Sequence, residues 1–440
     1  MLNRSVNFVL VTVIFLTASA GLPISQSIAQ TPRPTLKFDF GPGKVQSGYV
    51  QVLPTILYSK NRGYGFEPGA PVQCADRSGR DHLRSDFCSG DTPFFFSVAL
   101  PEGNYNVTVT FGDQNGNTAT TVKAELRRLM LEKVATKRSK FAIKTFTVNI
   151  RTPQILSGGE VKLKDREKTM EAWAWDEKLT LEFNNTRPTV NALEIVPADT
   201  VPTLFLLGDS TVTDQPREPY NSWGQMLPRF FKPGIALANH AQSGESLRSS
   251  LSARRLEKVL SLMKPGDYLF IQYGHNDQKE KGEGVGPFTT YRASLKHYVD
   301  EARKRGGNPV LITSMHRRTF DGGGKITDSH GYYDNAVRQV AKEENVPLID
   351  LHALSKPFYE ALGPEVSKQA FAPDDNTHHN NYGSYQLARC IVESIRVGDF
   401  GLAKYLADDV SPYDPGHPDD LKSFNVPPSL LITDIKPLGS

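Results

Sequence analysis

The sequence predicts an α/β fold: a three-layer α/β/α parallel sheet preceded by an all-β jelly-roll sandwich domain. Three observations carry that prediction. The first third of the chain is a series of short extended runs closed by Gly or Pro. After "PADTVP" (Pro197 to Pro202) compact apolar runs alternate with helical patterns. Each of those later runs is apolar throughout, as strands covered on both faces must be.

The N-terminus comes first. "MLNRSVNFVLVTVIFLTASAGLPISQSIAQ" sets Arg4 ahead of an apolar stretch from Val6 to Leu16, then small residues with cleavage positions after Ala20 or Ala29. That is the pattern of a secretory signal; a membrane anchor needs about 20 unbroken apolar residues. Residues 1–29 are read as this signal, which leaves a secreted or periplasmic protein free of the membrane. The 440 residues suffice for two domains. The β-sandwich is assigned to 34–199, the parallel-sheet domain to 200–400, and a Pro- and Asp-rich wrapping tail to 401–440. A formal charge of +3 is too small to point to nucleic acid, and it does not repel an acidic substrate. Of the three cysteines, Cys74 and Cys88 can close a short loop in an exported protein. Cys390, in "YQLARCIVESI", fits a small buried hydrophobe on an amphipathic helix.

In the front region "LKFDFGPG", "YVQVLP", "FTVNI", "VKLK", "LTLEF" and "NALEIV" read as strands. "FFFSVALPEGNYNVTVTFGD" holds two more, and Tyr105, Val107, Val109 and Phe111 alternate as a half-buried strand requires. "KAELRRLMLEKVAT" contains good helix formers but no clean apolar face, and is read as strand. Tyr49, Tyr58, Tyr64, Trp173 and Trp175 fit a sandwich core or an interdomain seam better than a sugar-stacking surface. Beyond residue 200, "TLFLLGD", "GIALAN", "DYLFIQYG", "NPVLITSM" and "VPLIDL" are the strands. "SLRSSLSARRLEKVLSLM", "FTTYRASLKHYVDEARKRG" and "YYDNAVRQVAKEENV" are helices between them.

In such a sheet, sites form at the carboxyl ends of the strands. Four segments there carry chemistry. Ser210 follows "TLFLLGD" and becomes a nucleophile only if a base takes its proton; a turn or helix N-cap is the alternative. In "NHAQSGESLRSS", Gly244 lets a backbone N–H approach a ligand closely. In "YGHND", Asn276 can present its amide to an oxyanion, while the adjacent His275 is given a structural role. In "APDDNTHHNNYG", Asp375 and His378 are three apart, so the carboxylate can hold Nδ1–H and leave Nε2 to deprotonate serine. A closed zinc site in that loop would need further ligands at plausible spacing. No G-x-S-x-G elbow follows a strand.

Together "GDST", the Gly244 segment, "GHND" and "DNTH" resemble, in order, the four blocks of the SGNH hydrolases, the GDSL-like esterases, over nearly all of residues 203–396. "NHAQSGESLRSS", "FIQYGHNDQ", "SWGQMLPRFF" and "LITSMHRRTFDGGG" look most like the rhamnogalacturonan acetylesterases. The front region is similar to the galactose-binding-type jelly roll that precedes some bacterial members. The resemblance implies a flavodoxin-like sheet with Ser210 as nucleophile, His378 as base and Asp375 orienting it. The Ser210 and Gly244 N–H groups and the Asn276 side chain would form the oxyanion hole. Ser243 and Glu245 depart from the Gly or Arg that members often carry around this glycine, and His379 has no assigned role.

The implied reaction is acyl transfer without metal or organic cofactor. Its substrate would be an acetylated acidic polysaccharide of the pectin type, with Arg317, Arg318 and Lys325 reaching galacturonate carboxylates; a solvated charged loop is the alternative. Two rivals remain open: the same chemistry on acetylated xylan, sialic acid or a lipid ester, and a non-catalytic carbohydrate-binding protein. The second is disfavoured because every catalytic role is filled.

Overall fold

The alternation of Tyr105, Val107, Val109 and Phe111 builds the centre of the first sheet. In the computed structural model, which describes residues 33–431 together with 1, 433 and 436–438, all four lie fully buried on the strand Gly103–Gly112. Apart from Met1, the segment read as a secretory signal lies outside the described residues. Gly103–Gly112 pairs antiparallel with Phe141–Ile150 and Ala192–Pro197. The sheet continues to Leu36–Phe40 and, by one parallel pairing, to Val50–Val52. A second sheet orders Tyr64–Phe66, Phe94–Ala99, Lys178–Asn184, Thr118–Ala124 and Arg128–Thr136, antiparallel throughout. The two share one core, in which Phe96 stands edge-on to Phe38 and Phe40 at 5.4 and 4.9 Å. Cys74 and Cys88 are bonded across the pair Gln73–Asp76 and Asp86–Ser89.

The segment "KAELRRLMLEKVAT" is extended, but a tight turn divides it between two strands, with Glu125 and Arg127 at φ of 55° and 64°. Its helix-forming residues are overridden by tertiary contact: Leu126 joins Ile155, Val161 and Trp175 in a small cluster, while Arg127 and Arg128 reach into the second half of the chain.

There the five apolar runs form a parallel sheet in the order Ala236–Asn239, Thr203–Gly208, Tyr268–Gln272, Asn308–Ile312 and Leu348–Ile349. Alternate residues serve opposite faces. Phe205, Leu207, Leu269, Ile271 and Leu311 pack with the helices Arg255–Leu262, Arg292–Lys304 and Tyr333–Glu343. Leu204, Leu206, Phe270, Val310 and Ile312 pack with Leu351–Val366 and Asn381–Val397, and buried Cys390 lies on the last of these.

One predicted helix is broken. "SLRSSLSARRLEKVLSLM" forms Leu247–Ser252 and Arg255–Leu262, with Arg254 left-handed at φ 63° between them. The break frees the Ala253 carbonyl to accept Lys162 N–H at 3.0 Å and turns Arg255 toward the β-sandwich. Arg255 and Glu167, both essentially inaccessible, then pair in a fork at 3.0 and 2.6 Å. Asp214 faces Arg128 and Arg151 at 3.4 and 3.7 Å, and Arg127 holds Glu218 at 2.5 Å. The Arg151 guanidinium lies 4.5 Å over Trp175. From Gly401 onward the described residues form turns, irregular segments and one short 3-10 helix, Ala403–Tyr405, and Pro427 and Pro428 accept hydrogen bonds from Lys123 and Asn184. Among the described residues no helix is long and apolar enough to cross a membrane.

Removing one partner of a buried ion pair strands the other charge, at a cost of about 3–5 kcal/mol. Glu167→Gln should therefore lower the unfolding free energy, measured by chemical denaturation, by that order. A loss below about 1 kcal/mol would show that water reaches Arg255.

Candidate active site

Gly208 ends the first strand of the parallel sheet opposite Gln272. A Cβ at Gly208 would sit 2.5 Å from Val212 Cγ2 and 2.7 Å from the Gln272 carbonyl oxygen, so only glycine lets the chain turn this sharply. The turn is then fixed by Asp209, whose Oδ1 accepts from both Thr211 N–H and Oγ1–H at 2.9 and 2.7 Å. Its Oδ2 meets His275 Nδ1 at 3.2 Å, and His275 Nε2 meets the Met315 carbonyl at 3.2 Å. Burial alone would raise the Asp209 carboxyl, but His275 and Thr211 hold it below its ordinary value.

Ser210, presented by this turn, lies 2.9 Å by Oγ from His378 Nε2. His378 Nδ1 is 2.9 Å from Asp375 Oδ2, and Asp375 Oδ1 accepts from the Thr377 and His378 backbone N–H groups at 2.8 and 3.0 Å. An ionised carboxylate only accepts, so Nδ1 carries the proton and the Nε2 lone pair faces the hydroxyl. Burial works against the Asp375 charge, yet these three donors hold its carboxyl well below the usual range. The hydrogen-bond chain Ser210–His378–Asp375 is complete. His379, beside it, turns away: Nε2 meets Tyr359 Oη at 2.7 Å and the ring lies 4.2 Å from Phe371. Burial and the neighbouring His378 push it down to about 3. The "DDNTHH" loop thus sends one histidine to the serine and the other into the core.

The other two strand-end loops are tied to the same place. Gly244 is left-handed at φ 77°, and a Cβ on it would meet Leu438 Cβ at 2.8 Å, so the C-terminal tail passes this loop. Gln215 Nε2 donates to the Ser210 carbonyl at 2.8 Å and to Ser243 Oγ at 3.2 Å. Asn276 Nδ2 gives one hydrogen to the Glu245 carbonyl at 3.0 Å, which leaves its second for a ligand. Ser243 and Glu245, the two departures from the family pattern, are both buried and both used. Lys164, from the β-rich region, donates to the Ser243 carbonyl at 2.7 Å and pairs with the Glu245 carboxylate at 3.0 Å. Gln215 and Lys164 carry no sequence motif, and no spacing rule could have found them.

The basic residues divide. Arg317 points inward, its guanidinium 3.3 Å from the His275 carbonyl and 3.3 Å from Ser329 Oγ. Arg318 is half-buried against the Asp375–His378 loop, donating to Asn376 Oδ1 at 2.6 Å and to the Pro364 carbonyl at 3.3 Å. Lys325 pairs with Glu360 at 3.0 Å.

Residues 206–384 match the GDSL-like lipase/acylhydrolase family. Over 207 residues the chain is 41% identical to "Rhamnogalacturonan acetylesterase RhgT" of Bacillus subtilis (strain 168), covering 44% of this chain and 88% of that one. The chain belongs to the GDSL-like lipase/acylhydrolase family. It is a carboxylic-ester hydrolase. Residues 36–155 match a second model, the galactose-binding-domain-like part of β-agarase/YXIM esterase-like proteins. Similarity to "Uncharacterized esterase YxiM" of the same organism runs through both regions, at 28% identity over 82% of this chain and 90% of that one. "Probable rhamnogalacturonan acetylesterase YesY", also from Bacillus subtilis (strain 168), is 36% identical over 44% of this chain and 92% of its own length.

Asp277, next to Asn276, offers a test of the electrostatics. Burial, then Glu280 and Asp209, push its carboxyl up to about 8, against about 3.9 in an unfolded chain. The folded state therefore keeps a proton that the unfolded state has released, and stability falls as pH rises from about 4 toward 8. Asp277→Asn preserves an acceptor for Leu247 N–H and removes that slope. The melting temperature of the variant should gain on wild type between pH 5 and pH 8; a difference independent of pH would contradict the assignment.

Proposed function

We propose that the protein is a secreted carbohydrate O-acetylesterase that removes acetyl groups from rhamnogalacturonan-type pectin. The observation that carries this reading is the hydrogen-bond chain from Ser210 Oγ through His378 to Asp375, with both links at 2.9 Å. The kinship with an enzyme named as a rhamnogalacturonan acetylesterase supports the substrate class. Residues 34–199 and 200–400 are its sandwich and catalytic domains, and 1–29 its export signal.

In this mechanism Ser210 attacks the acetyl carbonyl while His378 Nε2 takes the hydroxyl proton. The oxyanion is held by the Ser210 and Gly244 backbone N–H groups and the free hydrogen of Asn276 Nδ2. His378 then gives its proton to the departing sugar oxygen, and water repeats the sequence on the acetyl-serine. Asp375 stays ionised and fixes the tautomer. Arg318 faces the carboxylates of the acidic backbone, and Arg317 holds the loop behind it.

Acetate release from acetylated rhamnogalacturonan and acetylated xylan, by wild type and Ser210→Ala, tests the reading. Wild type should act mainly on the rhamnogalacturonan, and Ser210→Ala should lose about 10⁴-fold or more in kcat. Asp375→Asn should lose about 10³–10⁴-fold with the fold intact. A histidine base must be neutral, so kcat/KM should fall on the acidic side; His379, pushed down to about 3 by burial and His378, cannot supply that limb at weakly acidic pH. Serine-dependent release mainly from xylan would overturn the substrate, and no release from either would overturn the function.

Arg318→Ala should raise KM several-fold for the acidic polymer and leave a small neutral acetate ester unaffected. Equal effects on both would remove Arg318 from polymer binding.

A further inference from the structure

Three of the ten histidines of the chain, His316, His330 and His352, gather beside His275. The His330 ring stands edge-on to His275 with centroids 4.6 Å apart, and His316 lies 3.6 Å from His352. Two carboxylates join them. His330 Nδ1 is 3.1 Å from Asp334 Oδ2, His352 Nε2 is 3.3 Å from the same oxygen, and Asp328 Oδ1 is 3.5 Å from His352 Nε2. One ligand atom from each of Asp328, His330, Asp334 and His352 lies within 4.8 Å of all the others.

The cluster does not satisfy itself by hydrogen bonding. His330 is 2% exposed, yet neither of its ring nitrogens makes a hydrogen bond of acceptable geometry, and the same holds for Asp334 Oδ2 and His352 Nε2. Buried polar atoms left without partners are costly, and here one His330 ring nitrogen, Asp334 Oδ2 and His352 Nε2 converge, with Asp328 beside them. Their spacing fits a cation at that point: bonds of about 2.0–2.2 Å in a tetrahedron set neighbouring ligand atoms about 3.3–3.6 Å apart. The Asp334 carboxylate is already oriented, because its Oδ1 accepts Ser314 N–H at 3.1 Å. His330 is supplied by a loop, Asp334 by the first turn of the helix Tyr333–Glu343, and His352 by the start of Leu351–Val366. Asp328, whose side chain is 51% exposed, opens the cluster to solvent on one side.

We propose that Asp328, His330, Asp334 and His352 form a binding site for a divalent transition-metal ion of the zinc class. Two imidazole nitrogens favour such an ion over Mg²⁺ or Ca²⁺, which prefer all-oxygen sets. Four protein ligands make a closed, structural site, not one that activates water. The ion braces the loop that carries Arg317 and, through His330 and His275, the wall behind Asp209. With the ion on His352 Nε2, the proton sits on Nδ1, so the 3.3 Å contact from Arg338 must lengthen. Asp350 holds that guanidinium at 2.8 and 3.0 Å in either case.

The test uses tag-free full-length protein stripped with a chelator, titrated with ZnCl₂ by calorimetry and with Co²⁺ by visible absorption. One equivalent of Zn²⁺ should bind tightly, Co²⁺ should give the intense bands of four-coordination, and Zn²⁺ should raise the melting temperature. His330→Gln should weaken binding by about 100-fold or more, and Asp328→Asn, an exposed change that leaves the fold in place, by about 10-fold. Absence of stoichiometric binding by wild type overturns the proposal. So does an affinity equal in wild type and Asp328→Asn, which would place the ion elsewhere.

Discussion

A parallel sheet covered on both faces has no room for polar chemistry along its strands, and everything functional here follows from that constraint. Gly208 is in register with Gln272, and the neighbouring strand ends at Asn239 opposite Leu206, so three strands end within two residues of one another. The loops that leave them carry Ser210, Gly244 and Asn276. The fourth group arrives from outside the sheet on the loop before the helix Asn381–Val397, and is held by a carboxylate that accepts three hydrogen bonds. Asp209 does comparable work underneath, fastening the serine turn to His275.

The β-rich region is part of this machinery. Its Lys164 grips the Gly244 loop from the side, and Glu171 receives the Gln242 amide at 2.8 Å. The Glu167–Arg255 pair locks the break in the following helix. A charged seam of this kind does not maximise stability, since apolar packing would often serve better. It does fix orientation, because each buried charge has few acceptable partners. The Gly244 loop is thus positioned from both sides, and the β-rich region contributes to its geometry.

The parallel strands and the Ser210–His378–Asp375 hydrogen-bond chain are legible in the sequence because they rest on local signals. Each strand is an unbroken apolar run, Ser210 lies within two residues of a strand end, and Asp375 and His378 are three apart. What is not legible depends on contacts between distant segments. Arg255 meets Glu167 at a separation of 88 residues, and that contact splits a helix whose periodicity reads as continuous. The turn at Glu125–Arg127 is hidden in helix formers that serve the seam. Arg317 and Arg318 are adjacent and chemically identical, yet one is drawn inward by Ser329 and the other rests against Asn376. His330 and His352 stand 22 residues apart with no spacing motif, and only the fold brings them to one point.

The central claim is that Ser210 becomes acetylated during turnover. Rapid quenching of the enzyme in the presence of an acetyl ester, followed by peptide mass mapping, measures this directly. The account predicts one acetyl group on the peptide containing Ser210, absent in Ser210→Ala and formed within the pre-steady-state burst. An acetyl group on another residue, or turnover with no acetyl-enzyme at any time, would contradict it.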